Sequence, residues 1–193
     1  MIDNSSNEVP DLFFEAIDDL LRQAENGAQD LALLARALTL PDISIIGQSK
    51  DVVDPDAIYT ARQVLKKAIK KQFKDQLTKI YDLCAPDEVF SITPHSMGRR
   101  ALRNVMLAYL TATNGKGCAI LAKGHYQTAN TMTDRMAALS ALSENNATER
   151  EEILEEFYQT FKDHKLVIDK WFGVQASACL LYTSDAADDL YRV

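Results

Sequence analysis

Apolar residues recur along this chain at intervals of three and four, the spacing that lays one stripe along a helix. After Pro10, the positions Leu12, Phe13, Ile17, Leu20, Leu21 and Ala24 form such a stripe, and Asn26-Gly27 supplies a left-handed stop. The pattern resumes at Leu31, Leu34, Ala35 and Leu38 and ends at Leu40-Pro41, because the residue before a proline is pushed out of the helical region. A short connection between two such segments predicts a helical hairpin. Residues 41–54 mix Ile43, Ile45, Ile46, Val52 and Val53 with Gly47 and Ser49, and read as a partly buried loop with room for one helical turn.

Asp54-Pro55 places a capping carboxylate before a proline at the first helical position, ahead of Ile58, Ala61, Leu65, Ile69 and Phe73. The stripe continues through Leu77, Ile80, Tyr81 and Leu83, either in the same helix or after a bend near Lys74. Thr93-Pro94 repeats the cap-plus-proline signal before Met97, Ala101, Leu102, Val105, Leu107, Ala108 and Leu110, a helix expected to run to Asn114-Gly115. Cys118, Ile120, Leu121 and Tyr126 mark a further helix, and Met132, Met136, Ala137, Leu139 and Leu142 another. Thr148 with Glu151 has the spacing of a capping box ahead of Ile153, Leu154, Phe157 and Phe161. Leu166, Val167, Trp171, Phe172 and Ala176 form the last stripe. No segment alternates with a period of two, so the expected fold is all-α, an irregular helical-repeat (HEAT/armadillo-like) superhelix of stacked helix pairs, truncated.

Composition supports long elements. Seven Gly and five Pro in 193 residues are about half the usual share, and few breakers favour helices. A chain that is 47% hydrophobic and 25% charged can bury a core. Its net charge of −7 supplies no overall attraction to nucleic acid or to an anionic membrane, so neither partner is expected. No apolar stretch approaches the ~20 residues a bilayer span needs, and Met1 to Pro10 is too polar for an export signal. Cys84, Cys118 and Cys179 lie far apart without a C-x-x-C spacing, and read as reduced thiols of a cytoplasmic protein.

Candidate chemistry is sparse. A hydrolytic zinc site needs clustered ligands, typically H-E-x-x-H on one helix face, and the only histidines, His95, His125 and His164, stand in three separate elements. The phosphate- and oxyanion-holding turns G-x-S-x-G, G-x-x-x-x-G-K-[ST] and G-x-G-x-x-G are absent. Asp134-Arg135 and Asp169-Lys170 are adjacent pairs whose members point about 100° apart on a helix, so they read as caps and surface charges. An autonomous enzyme using His125 and Asp134 is the weakest reading. No catalytic, cofactor-binding or metal-binding residue is therefore assigned. Lys66, Lys67, Lys70, Lys71 and Lys74 make a basic stripe, read as the solvated side of the helix opposite Leu65, Ile69 and Phe73, or else as a docking site for an acidic partner or RNA. Arg99, Arg100 and Arg103 carry the same two readings, with a third, pairing to carboxylates of a neighbouring helix.

Five blocks in order carry a family resemblance: Ala37-Leu-Thr-Leu-Pro41 followed by Val53-Asp-Pro-Asp-Ala-Ile58, then Arg99-Arg-Ala-Leu-Arg-Asn104, then Ala129-Asn-Thr-Met-Thr-Asp134 with Ala137-Ala-Leu139, then Leu166-Val-Ile-Asp-Lys-Trp-Phe172. Together they resemble the C-terminal helical domain of aminopeptidase N, a family of zinc metallo-exopeptidases. The resemblance covers about residues 10–178. It implies a fragment of an enzyme that removes N-terminal amino acids from peptides, with the helical domain enclosing the active-site cavity. Zinc, its ligands and the general base would belong to regions absent from this sequence, so the chain itself holds no cofactor. The implied partners are the remainder of the parent enzyme and, in the full-length protein, peptide substrates. Residues 1–178 are expected to be part of that helical domain. Cys179-Leu-Leu-Tyr-Thr-Ser-Asp-Ala-Ala-Asp-Asp189 looks like a translated sequencing-library adapter, so 179–193 is expected to be non-native. A repeat stack cut before its cap leaves apolar surface bare, with Trp171 and Phe172 the expected orphans. A stand-alone helical-repeat binding module is the alternative from another functional class.

Overall fold

A computed structural model describes residues 9–28, 30–86, 90–145, 147–176 and 178. The tail from Cys179 onward lies outside the described residues, as does most of the polar start. Among the described residues there are nine helices and no strand. They fall into two compact units, one running to the end of the first four helices and resuming over Ser91–Tyr109, the other from Leu110 onward.

In the first unit, α1 (Asp11–Glu25) ends where Gly27 takes φ +77°, a conformation that side-chain-bearing residues rarely adopt. Asn26, at φ −84°, does not share it. Ala28 N–H then closes back on Gln23 O at 3.1 Å. Helix α2 (Leu31–Ala37) is capped by Asp30, whose carboxylate accepts from Leu33 N–H at 2.9 Å. The stretch read as a loop holds a short helix, α3 (Ile43–Gly47). Asp54 caps α4 (Pro55–Leu83) by accepting from Ala57 N–H at 2.9 Å, as its position before Pro55 predicts. The two expected segments of α4 are one helix, bent at Phe73 (φ −117°, ψ 18°), one residue before the expected place.

α1 lies against α4, with Ile17 and Leu21 buried on one side and Ile69, Phe73, Leu77 and Ile80 on the other. The pairing is fastened at the surface by Gln76 Nε2, which donates to Asp18 Oδ1 at 3.1 Å, beside an Arg22–Asp18 ion pair of 2.7 Å. Those contacts, led by the Gln76 bond, hold the Asp18 carboxyl below its ordinary value. Helix α5 (Pro94–Leu110) closes the unit, its start capped by Thr93 Oγ1, which accepts from Ser96 N–H at 3.2 Å. It stops at Leu110, short of the expected Asn114-Gly115. The buried face is Leu102, Arg103, Met106, Leu107 and Tyr109, whereas Met97 and Ala108 are exposed, turned round the helix from the stripe that packs.

The second unit contains α6 (Lys116–Thr128), α7 (Met132–Ser143), α8 (Thr148–Phe161) and α9 (Lys165–Ala176). Its core is Ala119, Ala122, Tyr126, Leu139, Leu142 and Phe157 with their neighbours. Small Ala residues on α6 let that helix lie close along α7, so Ile120 is left outward, 54% exposed. The expected capping box at Thr148 and Glu151 does not form. Ala147 occupies the cap position without a side-chain bond, and Thr148 is already helical. A side-chain cap forms at Thr131 instead: Thr131 Oγ1 accepts from Asp134 N–H at 3.1 Å and donates to Asp134 Oδ2 at 2.8 Å. Trp171 is not an orphan, because its indole N–H donates to Leu154 O at 3.0 Å and its ring meets Tyr158 at 5.2 Å. Phe172 is one, at 58% exposed, and Leu166 is barer still.

Candidate functional site

Arg99 and Arg100 reach backbone carbonyls, and Arg103 reaches Tyr81. Arg99 Nη2 donates to Leu83 O at 3.3 Å and to Ala85 O at 2.7 Å, satisfying acceptors at the C-terminal end of α4. Arg100 Nη1 donates to Ser91 O at 2.8 Å. Arg103, buried, lies 4.4 Å over the Tyr81 ring and donates to the Tyr81 hydroxyl at 3.2 Å. The three residues thus tie α5 to the end of α4 and the connection after it, which is a structural task. Cys84 sits in the same place. Burial pushes its thiol up, offset in part by the charges of Arg99 and Arg103, so it is a poor nucleophile.

The basic stripe divides by exposure. Lys67, Lys71 and Lys74 are exposed, while Lys66 and Lys70 are half-buried against the unit. Lys66 lines a concavity, where it meets Arg62, Asp42 and Tyr109, which the sequence does not single out.

A cavity of about 280 Å³ lies where the end of α2 and the start of α3 meet α4 and α5. Its apolar wall is Leu38, Leu40, Val105, Ala108 and the Tyr109 ring; its polar side is Arg62, Lys66, Asn104 and Asp42. Tyr109 is fixed by donating its hydroxyl to Leu38 O, and burial pushes its pKa up to about 12 despite the nearby Arg62 charge. Arg62 is held loosely: Nη2 is 3.5 Å from Leu40 O and 4.0 Å from Asp42 Oδ1, and Nε is buried without a hydrogen-bond partner. Arg62 and Lys66 are one helical turn apart, a spacing visible in the sequence. The contribution of Tyr109 and Leu38, 71 residues apart, is not.

The histidines stay dispersed. His95 on α5 and His164 after α8 are exposed, while His125 on α6 is 1% exposed. Asp134 is equally buried, its carboxylate engaged with Thr131. A His125–Asp134 acid/base pair would be shut off from substrate. Among the described residues no three His, Cys, Asp or Glu side chains gather where they could hold a metal ion, so they do not fit the zinc that the resemblance implies.

The family model described as "Domain of unknown function (DUF3458_C) ARM repeats" matches residues 1–192. Aminopeptidase N of Haemophilus influenzae is 34% identical over 150 residues, covering 77% of this chain and 17% of that protein. Aminopeptidase N of Escherichia coli is 32% identical over 164 residues, 85% of this chain and 18% of that one. The chain therefore spans less than a fifth of the length of these relatives. Among solved structures, Legionella pneumophila aminopeptidase A in complex with aspartic acid superposes with a TM-score of 0.79 at 22% identity, over 98% of this chain and 23% of that one, a likeness of fold. All-helical units, an armadillo-type family match and aminopeptidase N relatives over most of the chain agree with one another: the protein belongs to the DUF3458_C ARM-repeat family and corresponds to the helical repeat domain found within aminopeptidase N.

Proposed function

We propose that this chain is part of a zinc-dependent, cytoplasmic aminopeptidase that hydrolyses N-terminal residues from peptides, and that residues 1–178 serve as a non-catalytic wall of its active-site cavity. The observation that carries the reading is the match of four-fifths or so of the chain to less than a fifth of each aminopeptidase N relative. The described residues bring no metal-ligand set together, and the strongest polar clusters, such as Arg99 on the α4 carbonyls, fasten helices to one another. In this reading zinc supplies activated water when bound elsewhere in the parent enzyme. The role of this chain is to exclude bulk solvent and shape the approach of the peptide. No helix among the described residues is long and apolar enough to cross a membrane, which is compatible with that location. We further propose that 179–193 is an adapter-derived tail.

The deciding experiment is to sequence an independent read of the same locus, then to assay the purified chain. The reading expects an H-E-x-x-H box upstream in the same frame, a helical pattern continuing past Ala178 in place of Cys179 to Val193, and hydrolysis of an aminoacyl-anilide only after an N-terminal aminopeptidase portion is added. A stop codon immediately upstream with no such box, or turnover with stoichiometric zinc in the lone chain, would overturn it.

A further inference from the structure

The cavity between α2, α3, α4 and α5 has three chemical features that fit one class of small molecule. Its volume of about 280 Å³ is at the lower limit of ligand pockets. That is room for a small molecule. One side is apolar. The other presents two cations on successive turns of α4, Arg62 and Lys66, and one carboxylate, Asp42.

Arg62 is the unusual element. Its side chain is only 20% exposed, yet its nearest acceptors stand at 3.5 and 4.0 Å and its Nε has no hydrogen-bond partner. A desolvated guanidinium with a fork of donors and such poor acceptors is suited to receive a carboxylate, which matches that fork in geometry and charge. A simple fatty acid would satisfy Arg62 and Lys66 but would meet the Asp42 carboxylate as a repulsive neighbour. A ligand bearing an ammonium beside its carboxylate removes that conflict. Asp42, 80% exposed and bonded only distantly to Arg62, can turn toward such an ammonium without losing a strong contact.

We propose that this cavity is a binding site for a free apolar α-amino acid: carboxylate toward Arg62 and Lys66, ammonium toward Asp42, and side chain against Leu38, Val105 and Ala108. Leucine, with nine non-hydrogen atoms, is small enough for that volume. The site does not depend on the peptidase reading. Only the corollary, that the amino acid is the parent enzyme's product class, rests on it.

Saturation-transfer NMR on the full 193-residue chain tests the site whatever the chain's state of association. The probes are L-leucine, L-leucinamide, 4-methylpentanoate and glycine. L-leucine is expected to bind saturably and the other three about tenfold or more weakly, each lacking one of the three matched groups. Lys66→Met should weaken leucine by about tenfold. Asp42→Asn should erase the advantage of leucine over 4-methylpentanoate. Ala108→Phe, at an exposed helical position that fills the cavity without disturbing the core, should abolish transfer. Absence of saturable binding up to about 50 mM, leucinamide binding as well as leucine, or unchanged binding by Ala108→Phe would overturn the proposal. None of these readouts requires peptidase activity, so failure here leaves the proposed function standing, and the reverse.

Discussion

Gly98 and Gly124 both lie inside helices, and elementary propensity assigns both the same response to alanine: a gain of about 1 kcal/mol, because glycine surrenders more backbone freedom on folding. The tertiary structure splits them. A Cβ on Gly98 would stand 2.9 Å from the backbone nitrogen of Ala32 and 3.2 Å from Leu31 Cβ. The first of these is main chain of α2, which cannot swing aside as a side-chain tip can. Overpacking of this kind costs about 1–3 kcal/mol, so the clash outweighs the propensity gain and Gly98→Ala should destabilise the first unit by about 1 kcal/mol net. A Cβ on Gly124 meets nothing within 4 Å, so Gly124→Ala should keep the whole gain. The expected separation of about 2 kcal/mol corresponds to roughly a thirtyfold difference in folding equilibrium. Urea unfolding reads both. The single tryptophan, Trp171 in α9, reports the second unit by fluorescence, and far-ultraviolet circular dichroism reports the whole chain. Gly124→Ala should raise the fluorescence midpoint, and Gly98→Ala should lower the midpoint of the dichroism change that fluorescence does not follow. A rise in that midpoint for Gly98→Ala would refute the close approach of α5 to α2.

Two further outcomes follow from single side chains. Burial raises Tyr109 from 10.0 to about 12 in the fold, so the folded state holds that proton more tightly than the unfolded chain; its stabilisation is complete below pH 10 and is lost as pH rises toward about 12. Stability measured by urea midpoint should fall over that window by on the order of 2 kcal/mol more in the parent chain than in Tyr109→Phe, with an equal slope in both refuting the burial. Thr131→Ala should cost about 1 kcal/mol and Thr148→Ala almost nothing, because only the former accepts from the N–H three residues on; equal losses in thermal melts would restore the capping box the sequence suggests at Thr148.

Signals that depend on a few neighbouring residues were legible in advance. Asp54-Pro55, Thr93-Pro94 and Gly27 mark helix ends through local steric and hydrogen-bond rules, and the structure has ends at all three. The capping box does not form at Thr148, whereas Thr131 caps its helix, because which threonine lies outside the helix depends on where the preceding chain enters. Helix faces were read with partial success. An apolar stripe is wider than the seam that packs, so Met97, Ile120 and Leu166 belong to the pattern and yet remain outside the core.

The candidate chemistry shows the same division more sharply. The lysines and arginines were visible as clusters, but their partners were not: Arg99 on the α4 carbonyls and Arg103 on Tyr81 are 14 to 22 residues apart in sequence, and the Leu38–Tyr109 bond beside Arg62 and Lys66 spans 71. By itself the sequence determined an all-helical chain, most of its helix ends and its kinship with aminopeptidase N, since periodicity, caps and block order are local or linear properties. Only the tertiary structure decided which faces are buried, which glycine is indispensable and where a cavity opens, because those depend on distances between segments that no spacing along the chain encodes.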